Sequence, residues 1–215
     1  GDVGIKLRKR GYTLDVRRPV IGEKLPENMD GHDLAVIYGG PPSANDDLDY
    51  IKYEIDWISK VLESNKPFLG ICLGAQMLAK NLGGTVQKSH DLTLEIGFFD
   101  INPTGDGHKM FQRQKKFFQW HREGFTVPKS CEILANGDLF REQAFRYNNA
   151  LAIQFHPEVN LKMHLRWLYY AGYMLKEKGA QNRRQQLAHR LKHGKKINLW
   201  LDSFLDNYLL KDINS

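Results

Sequence analysis

Apolar residues along the chain recur with two periods, and the change from one to the other divides it into elements. Short runs with strand character lie at residues 12–17, 34–38, 67–71, 85–88, 95–102, 116–120, 131–135, 141–147 and 150–155. Spacings of three and four predict helices over 3–10, 47–64 and 75–82, and after Asn160 the pattern is helical to the end. The first half alternates helix and strand, which argues for a parallel sheet with helices on both faces. Residues 85–150 are richer in strands and turns. No internal repeat, low-complexity stretch or linker breaks the pattern, so a single domain over 1–215, helical from about 160, is expected.

One junction carries chemistry. In Phe68-Leu-Gly-Ile-Cys-Leu-Gly-Ala-Gln76, Cys72 sits between an apolar strand and a helix closed by Gly83-Gly84. Gly70 and Gly74 flank it at two residues on either side, the spacing of a nucleophile elbow, where small residues let backbone pack around a strained turn. A thiol at a helix N-terminus is biased towards thiolate. A buried, inert cysteine is the alternative, and the two glycines weigh against it.

A thiolate needs a base, and the base an orienting group. In Leu151-Ala-Ile-Gln-Phe-His-Pro-Glu158, Pro157 forces His156 into extended backbone, where residues i and i+2 share a side. Glu158 can therefore hold one imidazole nitrogen of His156 while the other faces Cys72. Gly39-Gly40 follows the strand-like run 34–38, at the strand edge where open α/β sheets place ligands. Its glycines allow a backbone N–H to aim at a developing oxyanion, with the Leu73 N–H as second donor. Gln76, one helical turn past Cys72, can stay near the nucleophile.

These segments, with Tyr38-Gly-Gly-Pro-Pro-Ser-Ala-Asn-Asp46, Glu95-Ile-Gly97, Gln119-Trp-His121 and Phe204-Leu-Asp-Asn-Tyr208, resemble the class I glutamine amidotransferases in order through most of the chain. Within that family the resemblance is greatest to the amidotransferase domain of GMP synthase and its free-standing relatives. It implies a flavodoxin-like, mostly parallel sheet with an antiparallel extension. It also implies a Cys72–His156–Glu158 triad that turns glutamine into glutamate and ammonia through a thioester, an oxyanion hole at Gly40 and Leu73, and substrate contacts at Gly39, Gln76, Glu95, Trp120 and His121. For His121, flanked by aromatics, a packing role is the alternative. Two departures bear on the glutamine pocket: His121-Arg-Glu123 stands where the family often has His-x-Asp, and Pro42 where it often has a small residue or Met. The family also opens with a buried strand before the first helix, whereas this sequence opens at the helix, so natural residues before Gly1 are expected.

Composition narrows the partners. The 215 residues, 41% hydrophobic, suffice for a full α/β core. No run reaches the roughly 18 to 20 apolar residues of a membrane span, and the start has no signal-peptide layout. Two separate cysteines, Cys72 and Cys131, suggest no disulfide framework and a reducing cytoplasm. The eight histidines show no zinc spacing, and neither metal nor cofactor is expected.

Net charge is +6, with basic residues concentrated between Lys176 and Lys196. As a helix, that stretch sets Arg183, Arg184, Arg190, Lys192, Lys195 and Lys196 around a sparse apolar set, Leu187, Ala188 and Leu191. A solvated face is the leading reading. An acidic partner protein is an alternative, and nucleic acid a weaker one that no motif supports. The chain has no phosphate loop or pyrophosphatase loop with which to activate an acceptor. Ammonia is therefore expected to pass to an acceptor held by a synthetase or ligase partner. Two rival functions remain: a γ-glutamyl hydrolase using the same triad, and a non-catalytic docking subunit.

Overall fold

A computed structural model describes residues 1–211 and 213. In chain order it contains α1 (Asp2–Lys9), β1 (Ala35–Ile37), α2 (Asp49–Glu63), β2 (Phe68–Ile71), α3 (Leu73–Asn81), β3 (Thr85–Lys88), β4 (Glu95–Asp100) and β5 (Asn102–Pro103). There follow α4 (Gly107–Met110), β6 (Lys116–His121), β7 (Glu123–Thr126), β8 (Glu132–Asn136), β9 (Glu142–Tyr147), β10 (Ala150–Ile153), α5 (Leu161–Tyr170) and α6 (Arg183–Phe204). The class is α/β, as the alternating pattern implies. Helix to the chain end is interrupted by loops and a 3-10 turn, Gly172–Lys176, and that expectation reaches residues 212, 214 and 215, outside the described residues.

The main sheet runs β1-β2-β10-β9-β7-β3, with β8 on β9 and β5 on β8; β4 and β6 form a separate antiparallel pair. Among the named strands β1, β2 and β10 are mutually parallel, and the remaining strand pairings are antiparallel and build the expected extension. Residues 12–17 are a correction: they belong to no strand. Tyr12 and Leu14 pack on the core as side chains, while Asp15, Arg17, Val36 and Ile37 line a shared groove. The antiparallel side also gains β7, unforeseen because Gly124 interrupts its apolar pattern.

The three parallel strands set the site. Ile37 is in register with Gly70, and Ile153 with Ile71, so the loops after β1, β2 and β10 leave the sheet side by side. Two apolar cores flank the sheet. One holds the buried faces of α2 and α3, including Ile51, Trp57, Ile58 and Leu78, packed with Phe68 of β2. The other packs α1 and α6 against an aromatic cluster in which Phe117 stacks on Phe155 at 4.1 Å and Phe111 on Trp200 at 5.5 Å.

Helix ends are locally encoded. The Asn160 side chain accepts the Met163 N–H at 3.0 Å at the start of α5, and Asn182 and Gln185 form a reciprocal capping box on α6. The face that α6 buries is Gln186, Arg190, Ile197, Trp200, Leu201 and Phe204. That corrects the reading of the basic stretch. Leu191 is exposed, and Arg190, assigned to the solvated face, is 6% exposed.

Candidate active site

Cys72 is the N-cap of α3, held at φ 52°, ψ −105° by its N–H to Ile153 O bond of 2.9 Å. A non-glycine residue with positive φ is strained. The elbow is compressed by its neighbours: a Cβ on Gly70 would lie 2.6 Å from Gly74 O, and one on Gly74 would lie 2.2 Å from Ile37 O. Both flanking glycines are therefore required by close backbone approach, as their spacing implies.

His156 leaves the sheet just after β10. Its N–H donates to Phe118 O at 2.8 Å, and its Nδ1 lies 2.8 Å from Glu158 Oε1. Both side chains are buried. Burial acts to lower the imidazole's pKa, but the charges of Glu158 and Cys72, with their hydrogen bonds, outweigh it and raise it to about 10. Nε2 has no conventional partner and is left to the Cys72 sulfur. Trp167 stands edge-on to the imidazole, centroids 5.0 Å apart. The arrangement can take a proton from the thiol, hold it as imidazolium and return it to a leaving group.

Gly39 is wedged between the two. A Cβ there would fall 2.7 Å from His156 Cε1 and 3.2 Å from Cys72 Cβ, so any side chain would part base from thiol. Gly40 packs on Leu73, with a hypothetical Cβ 3.3 Å from Leu73 Cδ2. Among the described residues neither the Gly40 nor the Leu73 N–H donates to a protein acceptor, which leaves both free for an oxyanion.

Cys72, His156, Gly39, Gly40, Leu73, Gln76, Trp120 and His121 all line one cavity of about 470 Å³. Glu95 does not. It lies behind the cavity, 3% exposed, accepting from Gln143 Nε2 at 2.9 Å and 3.0 Å from His121 Nε2. His121 is tied to the Glu123 carbonyl through Nδ1 at 2.9 Å, and Gln76 Nε2 donates to that same carbonyl at 2.9 Å. Glu95, His121 and Gln76 thus form a polar floor that fixes the turn at Glu123.

Sequence reasoning missed two groups. The first is the far wall: Arg166, Trp167, Tyr170, Tyr173 and Met174, from α5 and the turn after it, line the cavity opposite Cys72. An aromatic every third residue, 167, 170 and 173, was the available signal. The second lies beneath the triad. Arg190 stacks on Phe98 and Phe118, 5.0 Å from each ring, and its Nε donates to His164 Nδ1 at 3.2 Å. Burial pulls its pKa down to about 10, opposed by the charges of Glu158 and Asp2. His164, donating to Gln186 Oε1 at 3.0 Å, is lowered to about 4, first by burial and further by Arg190.

A cysteine at a glycine-framed elbow, a histidine paired with a carboxylate and two unpaired N–H groups on a parallel α/β edge are the parts that thiol-dependent acyl transfer requires. The sequence model for glutamine amidotransferase class-I matches residues 5–171, and the chain belongs to that family. It is 29% identical to the glutamine amidotransferase-like protein YfeJ of Salmonella typhimurium, over 71% of this chain and 68% of that protein. It is 33% identical to one component of the glutamine-hydrolyzing GMP synthase of Sulfurisphaera tokodaii, over 64% of this chain and 73% of the relative. A glutamine amidotransferase structure from Thermotoga maritima superposes with a TM-score of 0.87 at 29% identity, covering 97% of this chain and 92% of the other. The chain is an enzyme of the glutamine amidotransferase type. Among the described residues no helix is long and apolar enough to cross a membrane, and no cluster of metal-ligating side chains occurs.

Proposed function

We propose that the chain hydrolyses the side-chain amide of glutamine through a Cys72 thioester and releases ammonia to an acceptor bound by another protein. The observation that carries this is the convergence of Cys72 and His156 on Gly39, with Nδ1 of His156 2.8 Å from Glu158 Oε1. His156 takes the thiol proton; Cys72 attacks the amide carbon; the Gly40 and Leu73 N–H groups receive the oxyanion; and His156 protonates the leaving nitrogen. Water then hydrolyses the thioester. Gln76, Trp120 and His121 hold the glutamyl part, and Glu95 acts only through His121. The GMP synthase relatives support a synthetase partner, since each is named as one component of a larger assembly.

The test is labelling with a glutamine-shaped diazo-ketone. Cys72 should react rapidly and be protected by excess glutamine. Cys131 should react slowly and without protection, since burial, helped by the Glu142 charge, raises its thiol pKa. Modification of Cys131 first, or labelling of Cys72 indifferent to glutamine, overturns the glutamine site. Release of ammonia from glutamine, measured with the partner where one is known, tests turnover itself.

A further inference from the structure

Free glutamine does not fill this cavity. Its ten non-hydrogen atoms, each given the ~30 Å³ that a water molecule takes in the liquid, an overestimate for bonded atoms, need at most roughly 300 Å³. The cavity holds about 470 Å³. One stretch of its lining is aromatic and apolar, Trp167, Tyr170, Tyr173 and Met174, with Arg166 5.6 Å above the Tyr170 ring, while Arg122 and Glu123 line it elsewhere. Tyr170 and Tyr173 keep 68% and 72% of their surface exposed. Ammonia offers such a wall nothing to contact.

The position of the wall says what it faces. On the reading proposed above, His156 protonates the leaving nitrogen, so that nitrogen lies within hydrogen-bond reach of Nε2. Trp167 stands 5.0 Å from the same imidazole, and Trp120 packs against Trp167 at 5.7 Å. A substituent on the leaving nitrogen would run from His156 along Trp167 towards Tyr170 and Tyr173. Flat apolar groups are what such a surface holds best, through area burial and aromatic contact.

We infer that this site also cleaves γ-glutamyl amides whose amine carries an aromatic or similarly flat apolar group, with the wall of Trp167, Tyr170 and Tyr173 binding the leaving amine. The step balances as for glutamine. Cys72 Sγ bonds to the amide carbon, the C–N bond breaks, and the amine leaves with the proton held by His156. Water then adds, the C–S bond breaks, and glutamate and the free thiol are restored.

The inference rests on the glutaminase reading, and the experiment keeps the two apart. L-Glutamine, γ-glutamylmethylamide and γ-glutamylbenzylamide are compared by glutamate release; benzylamine is also the less basic leaving amine, a contribution that the tyrosine variants below leave unchanged and so separate from the ring's contact with the wall. The benzylamide should exceed the methylamide in kcat/KM by about tenfold or more. In Tyr170→Ala and Tyr173→Ala that ratio should fall by about two- to tenfold, a readout that partial unfolding, which scales both substrates together, does not move. Equal rates for the two amides, or cleavage of glutamine alone, overturns this inference, leaves the glutaminase reading standing and makes the aromatic wall a surface for a protein partner. A ratio unchanged in both tyrosine variants also overturns it. No cleavage of any of the three overturns both.

Discussion

Two buried imidazoles meet Phe118, one through its main chain and one through its ring, and they are driven in opposite directions. The His156 N–H bonds Phe118 O at 2.8 Å; the His164 ring lies 4.5 Å from the Phe118 ring. Both lose water, which favours the neutral form. His156 has Glu158 and Cys72 beside it and is raised to about 10, whereas His164 has Arg190 and is lowered to about 4. Burial is common to both, so the neighbouring charge decides. The first ring is equipped to carry a proton. The second is locked as a neutral acceptor for Arg190.

The comparison breaks most visibly in turnover. His156→Ala should lower glutamine hydrolysis by about 10² to 10⁴ with the fold intact. His164→Ala should instead destabilise by about 1–3 kcal/mol, measured by denaturant unfolding, because it strands the Arg190 Nε. Equal losses of turnover in two folded variants would mean that the two rings do not differ in role.

Glu158→Gln sharpens the contrast with a smaller loss of turnover than His156→Ala. It keeps a hydrogen-bond acceptor but removes the charge that holds the imidazolium, so the His156 titration followed by NMR should fall from about 10 towards or below the ordinary 6.5. A titration that stays high would assign the shift to Cys72 alone.

The last contrast is in stability against pH, which the two rings tilt in opposite senses. For His156 the folded pKa is raised, so its contribution is complete below about 6.5 and is lost as pH rises towards about 10. For His164 the folded pKa is depressed: the unfolded chain binds the extra proton, and stability is lost as pH falls from about 6.5 towards 4. Melting temperatures should therefore fall on both sides of the neutral range. Glu158→Gln should flatten the alkaline side alone, and His164→Gln the acid side alone.

What could be read in advance divides along the same line. The elbow, the histidine before proline and the carboxylate two residues on were legible because each depends on local geometry: glycines where backbones touch, a ring that forbids αR, a period of two. Arg190 was not. Hydropathy assigns arginine to solvent, and only the meeting of α6 with Phe98 and Phe118 makes a buried cation tenable. The aromatic wall was hidden differently, since residues 167, 170 and 173 pass for an amphipathic helix until α5 is laid across His156. Residues 12–17 show the converse error. Tyr12 and Leu14 alternate as in a strand and do pack on the core, but alternation reports which side is buried, not whether another backbone lies alongside.

The left-handed backbone of Cys72 has a further consequence, for how this chain can change. A strained non-glycine residue of this kind costs about 1–3 kcal/mol, and glycine would occupy the same φ without the Cβ clash. Selection for a sturdier fold and selection for a reactive sulfur therefore pull on one position in opposite directions. On the proposed mechanism, a lineage that lost its need for the thiol would have a thermodynamic reason to discard it.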